Sequence, residues 1–232
     1  MLTLQIAELA NKRQKAGNPP DPNLLQLLRE KYEAIILESH TFSEQHNIEI
    51  PLWQLHYKRI EYFRLHINRV LASSTSTAAQ NVKGPSKAEQ IAQLKLQFRT
   101  FLSEATGFYH DMILKIRSKY GLPLGSFSED QQSQNLSDKD GKELAEVQKA
   151  LKSCHRCLIY LGDLARYKGM YAEGDSRSRQ YASASSYYLQ AASLWPASGN
   201  PHHQVIPLFS PLSHVILYFV QLWNTFFLTR LT

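Results

Sequence analysis

The segment between Leu161 and Pro196 carries the pattern that most constrains the fold of this chain. A Leu-Gly pair is followed by an alanine, an aromatic residue four positions later, a second alanine three later and a proline five later: Leu161, Gly162, Ala184, Tyr188, Ala191 and Pro196. Small residues let two helices approach closely, an aromatic ring fills the space between them, and a proline ends the second helix. The pattern therefore predicts two closely packed antiparallel helices.

These spacings are those of a tetratricopeptide-type repeat, a helical hairpin of known sequence signature. The second half of the signature arrives late, because Gly169–Gln180 is inserted between the two helices. The first helix of the hairpin is predicted near residues 142–168. Its predicted buried seam consists of Leu151, Cys154, Leu158, Leu161 and Ala165.

The remaining long segments also have helical periodicity, and none alternates like a strand. Helices are predicted near residues 2–16, 22–36, 51–71 and 87–120, the last starting at a capping box formed by Ser86 and Glu89. The apolar stripe of the third of these helices is predicted to be Trp53, Tyr57, Ile60, Phe63, Ile67 and Val70. Residues 72–86 form a low-complexity linker. The predicted fold class is all-α, an antiparallel helical array in one domain over residues 1–204.

The length, net charge and cysteine content of the chain limit the kinds of protein that it can be. A chain of 232 residues can bury one substantial core, and its net charge of +6 favours an acidic partner. Two cysteines, Cys154 and Cys157, cannot form a secreted disulfide framework. The first residues lack the pattern of a signal peptide. We expect a cytoplasmic protein with a possible nuclear pool.

Residues 181–229 contain no Asp, Glu, Lys or Arg, and residues 212–228 are strongly apolar. A membrane span needs about 20 mainly apolar residues, so a tail-anchored membrane protein is one alternative for this chain. His214, Gln221 and Asn224 interrupt the apolar stretch, which makes the membrane reading the weaker one.

Basic residues on two predicted helices form the candidate binding site. Arg166 lies a quarter-turn from the buried seam of its helix, next to Tyr167, and an arginine and a tyrosine can both bind a phosphate. Lys58 lies opposite the apolar stripe of its own helix, which also carries Arg64. Two such helices facing each other would form a cationic pocket for a phosphoryl group. The alternative is that these residues are ordinary solvated cations.

No signature of an enzyme is present. The chain has no glycine-rich phosphate loop, no nucleophile elbow and no zinc-protease motif. The C-x-x-C pair of Cys154 and Cys157 lacks two further zinc ligands, so buried small apolar residues are the favoured interpretation. We predict no catalytic residue, no metal site and no cofactor.

Three segments resemble one known family. Residues 52–58, 157–167 and 187–204 are similar to the adaptor proteins of nonsense-mediated mRNA decay, most closely those of plants. These adaptors share a domain with telomerase-associated proteins of the Est-one type. The resemblance covers residues 1–204.

The resemblance implies a 14-3-3-like fold with tetratricopeptide-type hairpins that binds phosphoserine or phosphothreonine peptides. It places the phosphate-contacting residues at Lys58 and Arg166, with Tyr167 as a neighbour and Arg64 as an auxiliary residue. The implied partners are the phosphorylated RNA helicase of the decay pathway and a paralogous adaptor as heterodimer partner. Binding to nucleic acid or telomerase is the alternative from the same family.

The resemblance ends at Val205. Family members continue with further helices after the His-His-Gln motif, whereas residues 205–232 form a divergent apolar tail. We expect this tail to be translated from an unrelated reading frame, such as a retained intron. The chain is then a C-terminally truncated form of the family.

Overall fold

The computed structural model describes residues 22–73, 86–122, 141–172, 175–196, 198 and 201. Within these ranges the chain forms six helices and no strand, which confirms the all-α prediction. In chain order they are α1 (Pro22–Glu38), α2 (His40–Gln45), α3 (Glu49–Ala72), α4 (Lys87–Tyr120), α5 (Gly141–Met170) and α6 (Asp175–Leu194). The predicted helix at residues 2–16, nearly all of the predicted linker and residues 205–232 lie outside the described residues.

Local chemistry fixes the ends of the long helices. Ser86 and Glu89 form the predicted capping box at the start of α4: the Glu89 amide donates to the Ser86 hydroxyl at 3.3 Å, and the Ser86 amide donates to Glu89 Oε2 at 2.7 Å. Gly121 ends α4 with φ 62°, a left-handed conformation that glycine adopts at little cost. The short helix α2, capped by Ser39, was not predicted.

The helices form an antiparallel array in which α4 is central. It packs against α3 on one side and α5 on the other, while α1 and α2 close the end near the start of α3. The largest fully buried side chains come from five of the helices: Leu28, Ile36, Leu52, Ile60, Ile67, Phe98, Leu102, Tyr109, Met112, Ile116, Leu161 and Tyr188. One continuous core thus runs through the described part of the chain.

The predicted stripe of α3 needs one correction. Tyr57 is 42% exposed, whereas Leu52 and His56 are buried together with Ile60. An α-helix turns by 100° per residue, so positions 52, 56, 60, 63 and 67 share one face and position 57 lies beside it. Tyr57 therefore lies outside the core, beside the surface along which α3 meets α5.

The close packing of α5 against α6 confirms the predicted hairpin. Ala184, Tyr188 and Ala191 are fully buried. A Cβ atom built on Gly162 would lie 2.4 Å from Cε1 of Tyr188, so only glycine fits beside that ring. The helix α6 begins at Asp175, which means that the second half of the predicted insertion is already helical.

Replacing Gly162 by alanine is expected to destabilise the chain by about 1–3 kcal/mol, the usual cost of overpacking. The added methyl group would displace the buried Tyr188 ring. Urea denaturation followed by circular dichroism measures the change. The matched control is Gly107→Ala in α4, where nothing lies within 4 Å of the added atom and the higher helix propensity of alanine should stabilise the chain. Equal stability of the wild type and the Gly162→Ala variant would contradict the hairpin packing.

Both cysteines are buried free thiols in α5. Burial raises the pKa of Cys154 to about 12 and raises that of Cys157 well above its usual value. The prediction that they serve as apolar packing residues is confirmed.

None of the helices in the described ranges is both long and apolar enough to cross a membrane. The apolar residues 212–228 lie outside those ranges.

Candidate functional site

The helices α3 and α5 run in the same direction, and their side chains contact each other at several points. We call the surface along which the two helices meet the groove. Trp53 of α3 stacks on Tyr160 of α5 with ring centroids 4.4 Å apart and an interplanar angle of 4°. Tyr109 of α4 lies below both rings, 6.1 Å from Trp53 and 5.3 Å from Tyr160. These aromatic contacts hold the two helices at a fixed separation, although α3 and α5 are far apart in the sequence.

Nearer the carboxyl ends of both helices, the groove becomes basic around the ring of Tyr167. The guanidinium carbon of Arg166 lies 4.7 Å from the centre of this ring, and that of Arg64 lies 5.8 Å from it. Cation–π contacts of this length are attractive. The structure therefore brings together three of the four predicted site residues around a single aromatic ring. We call this cluster of Arg64, Arg166 and Tyr167 the arginine pocket.

Arg166 is the most constrained member of the arginine pocket. Its Nη2 donates to Asp163 Oδ1 at 3.0 Å, and the Tyr188 hydroxyl donates to the same oxygen at 2.8 Å. The Nε of Arg166 is buried and has no hydrogen-bond partner among the described residues. Burial alone lowers the pKa of Arg166, but the hydrogen bond and charge of Asp163 outweigh burial and the net pKa is raised. Arg166 is thus a fixed cation with an unused donor.

Arg64 is held in a similar way on the other wall. Its Nη1 lies 2.5 Å from Glu61 Oε1, one helical turn earlier. Burial again lowers the pKa of Arg64, and the hydrogen bond and charge of Glu61 raise it above the usual value. Each arginine therefore has a carboxylate three residues before it. These carboxylates orient the guanidinium groups, while they also reduce the net charge of the pocket.

Tyr167 is the buried member of the arginine pocket. The residue is 6% exposed, and burial raises the pKa of its phenol while the charge of Arg166 lowers it. A buried ring with a guanidinium group on two sides acts mainly as a platform that positions Arg64 and Arg166. The prediction of a direct phosphate contact by its hydroxyl stays a prediction.

Lys58 lies on the same helix as Arg64, three residues before Glu61, and its side chain is half-buried. Six residues separate Lys58 from Arg64, which corresponds to about 9 Å along the helix axis. Six positions also turn the helix by about 240°, so Lys58 and Arg64 leave α3 about 120° apart and Lys58 does not join the contact with Tyr167. Its role as a phosphate ligand stays a prediction.

Three residues of the site had no functional role in the sequence analysis: Glu61, Asp163 and Tyr188. Asp163 orients Arg166, and Tyr188 connects Asp163 to the packed hairpin of α5 and α6. The position of Asp163, three residues before Arg166 on a helix, was the available signal. Because Tyr188 also fills the space at Gly162, the close packing of the hairpin and the orientation of Arg166 depend on the same side chain.

Comparisons with known proteins agree with this architecture. Residues 47–172 match the family "Telomerase activating protein Est1", and residues 184–205 match "Est1 DNA/RNA binding domain". The chain is 99% identical over 201 residues to the nonsense-mediated mRNA decay factor SMG7 of Arabidopsis thaliana, covering 87% of this chain and 19% of that protein.

More distant relatives point the same way. Identity is 33% to the SMG7-like decay factor of Arabidopsis thaliana, over 80% of this chain and 17% of that protein. It is 30% to the telomerase-binding protein EST1A of Danio rerio, over 75% of this chain and 10% of that protein. The chain spans less than a fifth of the length of each of these three relatives. The family match covers α3, α4 and α5, which form the groove, and the chain belongs to the Est1 family.

Proposed function

We propose that this chain is a non-enzymatic adaptor module of nonsense-mediated mRNA decay that binds a phosphorylated serine or threonine on a partner protein. The observation that carries the proposal is the arginine pocket. Arg64 and Arg166 are held on opposite walls of one groove by Tyr167, and the buried Nε of Arg166 lacks a partner among the described residues. The relationship to decay factors supports the pathway assignment.

The chemistry of the pocket suits a phosphoryl group. A phosphoserine carries about two negative charges and three acceptor oxygens at neutral pH. Arginine presents five donors in a planar fork, of which Asp163 accepts one from Arg166. Because Asp163 and Glu61 already fix both guanidinium groups, a bound phosphate would not have to order them. Lys58 would supply a further positive charge at the rim.

The proposed partner is the phosphorylated RNA helicase of the decay pathway, and a paralogous adaptor is proposed as a heterodimer partner. We propose a cytoplasmic location with a nuclear pool on the same grounds. An extended peptide would lie along the groove between α3 and α5, with its phosphate at the arginine pocket and its flanking residues near Tyr57 and Trp53. Both aromatic residues border the groove, and Tyr57 is 42% exposed.

Reversing the charge of Lys58 tests the extent of the site. We expect Lys58→Glu to weaken binding of a phosphoserine peptide about 10-fold, because the loss of one charge-assisted contact at a partly exposed site costs on the order of 1.4 kcal/mol. Fluorescence anisotropy with a labelled peptide measures the affinity. Lys31→Glu is the matched control, since Lys31 is exposed on α1 and carries the same charge change. Equal weakening by both variants would remove Lys58 from the proposed site.

Nucleic-acid binding is a second candidate function, favoured by the match of residues 184–205 to an Est1 DNA/RNA-binding domain. The basic net charge of +6 is compatible with it. This function predicts an affinity that falls steeply with salt concentration and does not depend on a phosphoserine. Titration of a single-stranded RNA oligonucleotide at several salt concentrations, with and without competing phosphopeptide, distinguishes the two functions.

A further inference from the structure

A second basic groove lies between α4 and the first turns of α6, over the carboxyl end of α5. Its volume is about 730 Å³. The polar and aromatic residues that line it include Lys95, Arg99, Lys168, Tyr171, Ser176 and Gln180. We call it the α4–α6 groove. It differs from the groove of the arginine pocket, whose walls are α3 and α5.

The charge of the α4–α6 groove is one-sided. Lys95, Arg99 and Lys168 line it, and the described lining residues include no carboxylate. Lys95 and Arg99 are four residues apart on α4, so their side chains start about 6 Å from each other on one helix face. Lys168 is half-buried, and burial lowers its pKa. A cation taken partly out of water in a groove lined by two further cations is stabilised by an anion that enters the groove.

We propose that the α4–α6 groove is a second anion-binding site, which takes a phosphorylated or carboxylate side chain of an acidic peptide. Lys168 and Arg99 would contact the anion from two sides, and Lys95 would add to the attraction from the same helix as Arg99. Ser176 and Gln180 offer hydroxyl and amide groups for the peptide backbone. The apolar floor of Ile91 and its neighbouring alanines would accept a small side chain beside the anion.

Two observations favour a peptide over a nucleic acid. Single-stranded nucleic acids are bound largely by aromatic side chains on which bases stack. The groove contains one aromatic residue, Tyr171, and its ring packs edge-on against Phe98 at 5.0 Å. Moreover, the described lining holds three cations, fewer than a track that follows several successive phosphates needs.

The α4–α6 groove has its own charged residues, none of which belongs to the arginine pocket. Tyr171 is the residue that contacts both sites. Tyr171 lines the α4–α6 groove and also forms a side-chain hydrogen bond with Arg64. The proposal can therefore hold even if the arginine pocket binds no phosphate, and the experiment has to separate them.

The test uses the full chain with the arginine pocket disabled by Arg166→Glu. Into this background we would introduce Arg99→Gln together with Lys168→Gln, which removes two charges without adding any, and measure anisotropy with an acidic peptide carrying two phosphoserines. We expect the two substitutions to lower the remaining affinity at least about 10-fold, equivalent to about 1.4 kcal/mol. Titration with inorganic phosphate should shift the backbone amide resonances of Ser176 and Gln180 in the parent and not in the variant.

The matched control replaces Lys31 and Arg69, both exposed and outside the groove, by glutamine in the same background. Unchanged peptide affinity after Arg99→Gln and Lys168→Gln would overturn the proposal. An equal loss in the control pair would do so too, because it would show a general charge effect. Loss of affinity for a single-stranded RNA oligonucleotide without loss for the phosphopeptide would assign the groove to nucleic acid and also overturn it. If the wild type and Arg166→Glu bound the phosphopeptide with the same affinity, that result would count against the arginine pocket alone.

Discussion

We expect the stability of the chain to fall steeply as the pH drops below about 6.5, because two buried histidines are neutral in the folded state. Burial is the largest cause that lowers the pKa of His40 to about 4, with a smaller contribution from Lys119. Burial also lowers the pKa of His56 to about 4. Neither imidazole has room for a solvated charge, since the two residues are 1% and 3% exposed.

The direction of the effect follows from proton uptake. In the unfolded chain both histidines regain a pKa of about 6.5, so between that pH and about 4 the unfolded state binds more protons. The stabilising contribution is therefore complete above the unfolded pKa and is lost as the pH falls toward the folded one. It amounts to roughly 3 kcal/mol for each histidine, which is a large part of the stability of an ordinary domain.

Urea denaturation at pH 7, 6 and 5 measures this dependence, and each histidine should contribute a slope of up to about 1.4 kcal/mol per pH unit in the free energy of unfolding. His56→Gln should lower this slope by the contribution of one histidine, up to about 1.4 kcal/mol per pH unit. His46→Gln, a substitution at an exposed position, is the matched control. A free energy of unfolding that stays constant between neutral pH and about pH 5 would show that the buried imidazoles are not held neutral.

The second large effect is expected at Arg166. Arg166→Glu should weaken binding of a phosphoserine peptide at least about 100-fold, because it removes a fixed donor and adds a charge that repels the phosphate, together more than about 2.7 kcal/mol. Arg166→Lys should also lose affinity, since an ammonium group cannot reproduce a planar fork held by Asp163 and stacked on Tyr167.

The pair of variants separates a specific contact from bulk charge. Arg166→Lys preserves the net charge, so its loss of affinity reports geometry. Both variants are checked for folding by thermal denaturation, because Arg166 also contacts Asp163 next to the hairpin. Full affinity of a folded Arg166→Lys variant would show that the pocket acts only through its charge.

Local sequence patterns predicted the elements of the fold well. The capping box of Ser86 and Glu89 marks the start of α4, and the pairing of Gly162 with Tyr188 marks the closest approach of α5 and α6. Both are contacts between neighbouring residues or between consecutive helices, which leave a signal at fixed spacing. The helix α2 has only six residues, too few for a periodic pattern.

The site was predicted only in part. Arg64, Arg166 and Tyr167 come together as expected, but their carboxylate partners Glu61 and Asp163 were not recognised. The meeting of α3 with α5 depends on how both helices pack on α4, and no local pattern encodes it. Residues that contact two other helices, such as Tyr109, decide that arrangement, and their partners can be identified only in the folded chain.

The measurement that tests the phosphopeptide proposal most directly is calorimetric titration of the chain with a phosphorylated peptide and with its unphosphorylated twin. The peptide would carry phosphoserine followed by glutamine, the type of site expected on the decay helicase. The arginine pocket predicts saturable binding of the phosphorylated peptide that Arg166→Glu weakens at least about 100-fold, and no detectable binding of the twin. Equal affinity for both peptides, or an affinity for the phosphorylated peptide that Arg166→Glu leaves unchanged, would contradict the assignment of this groove.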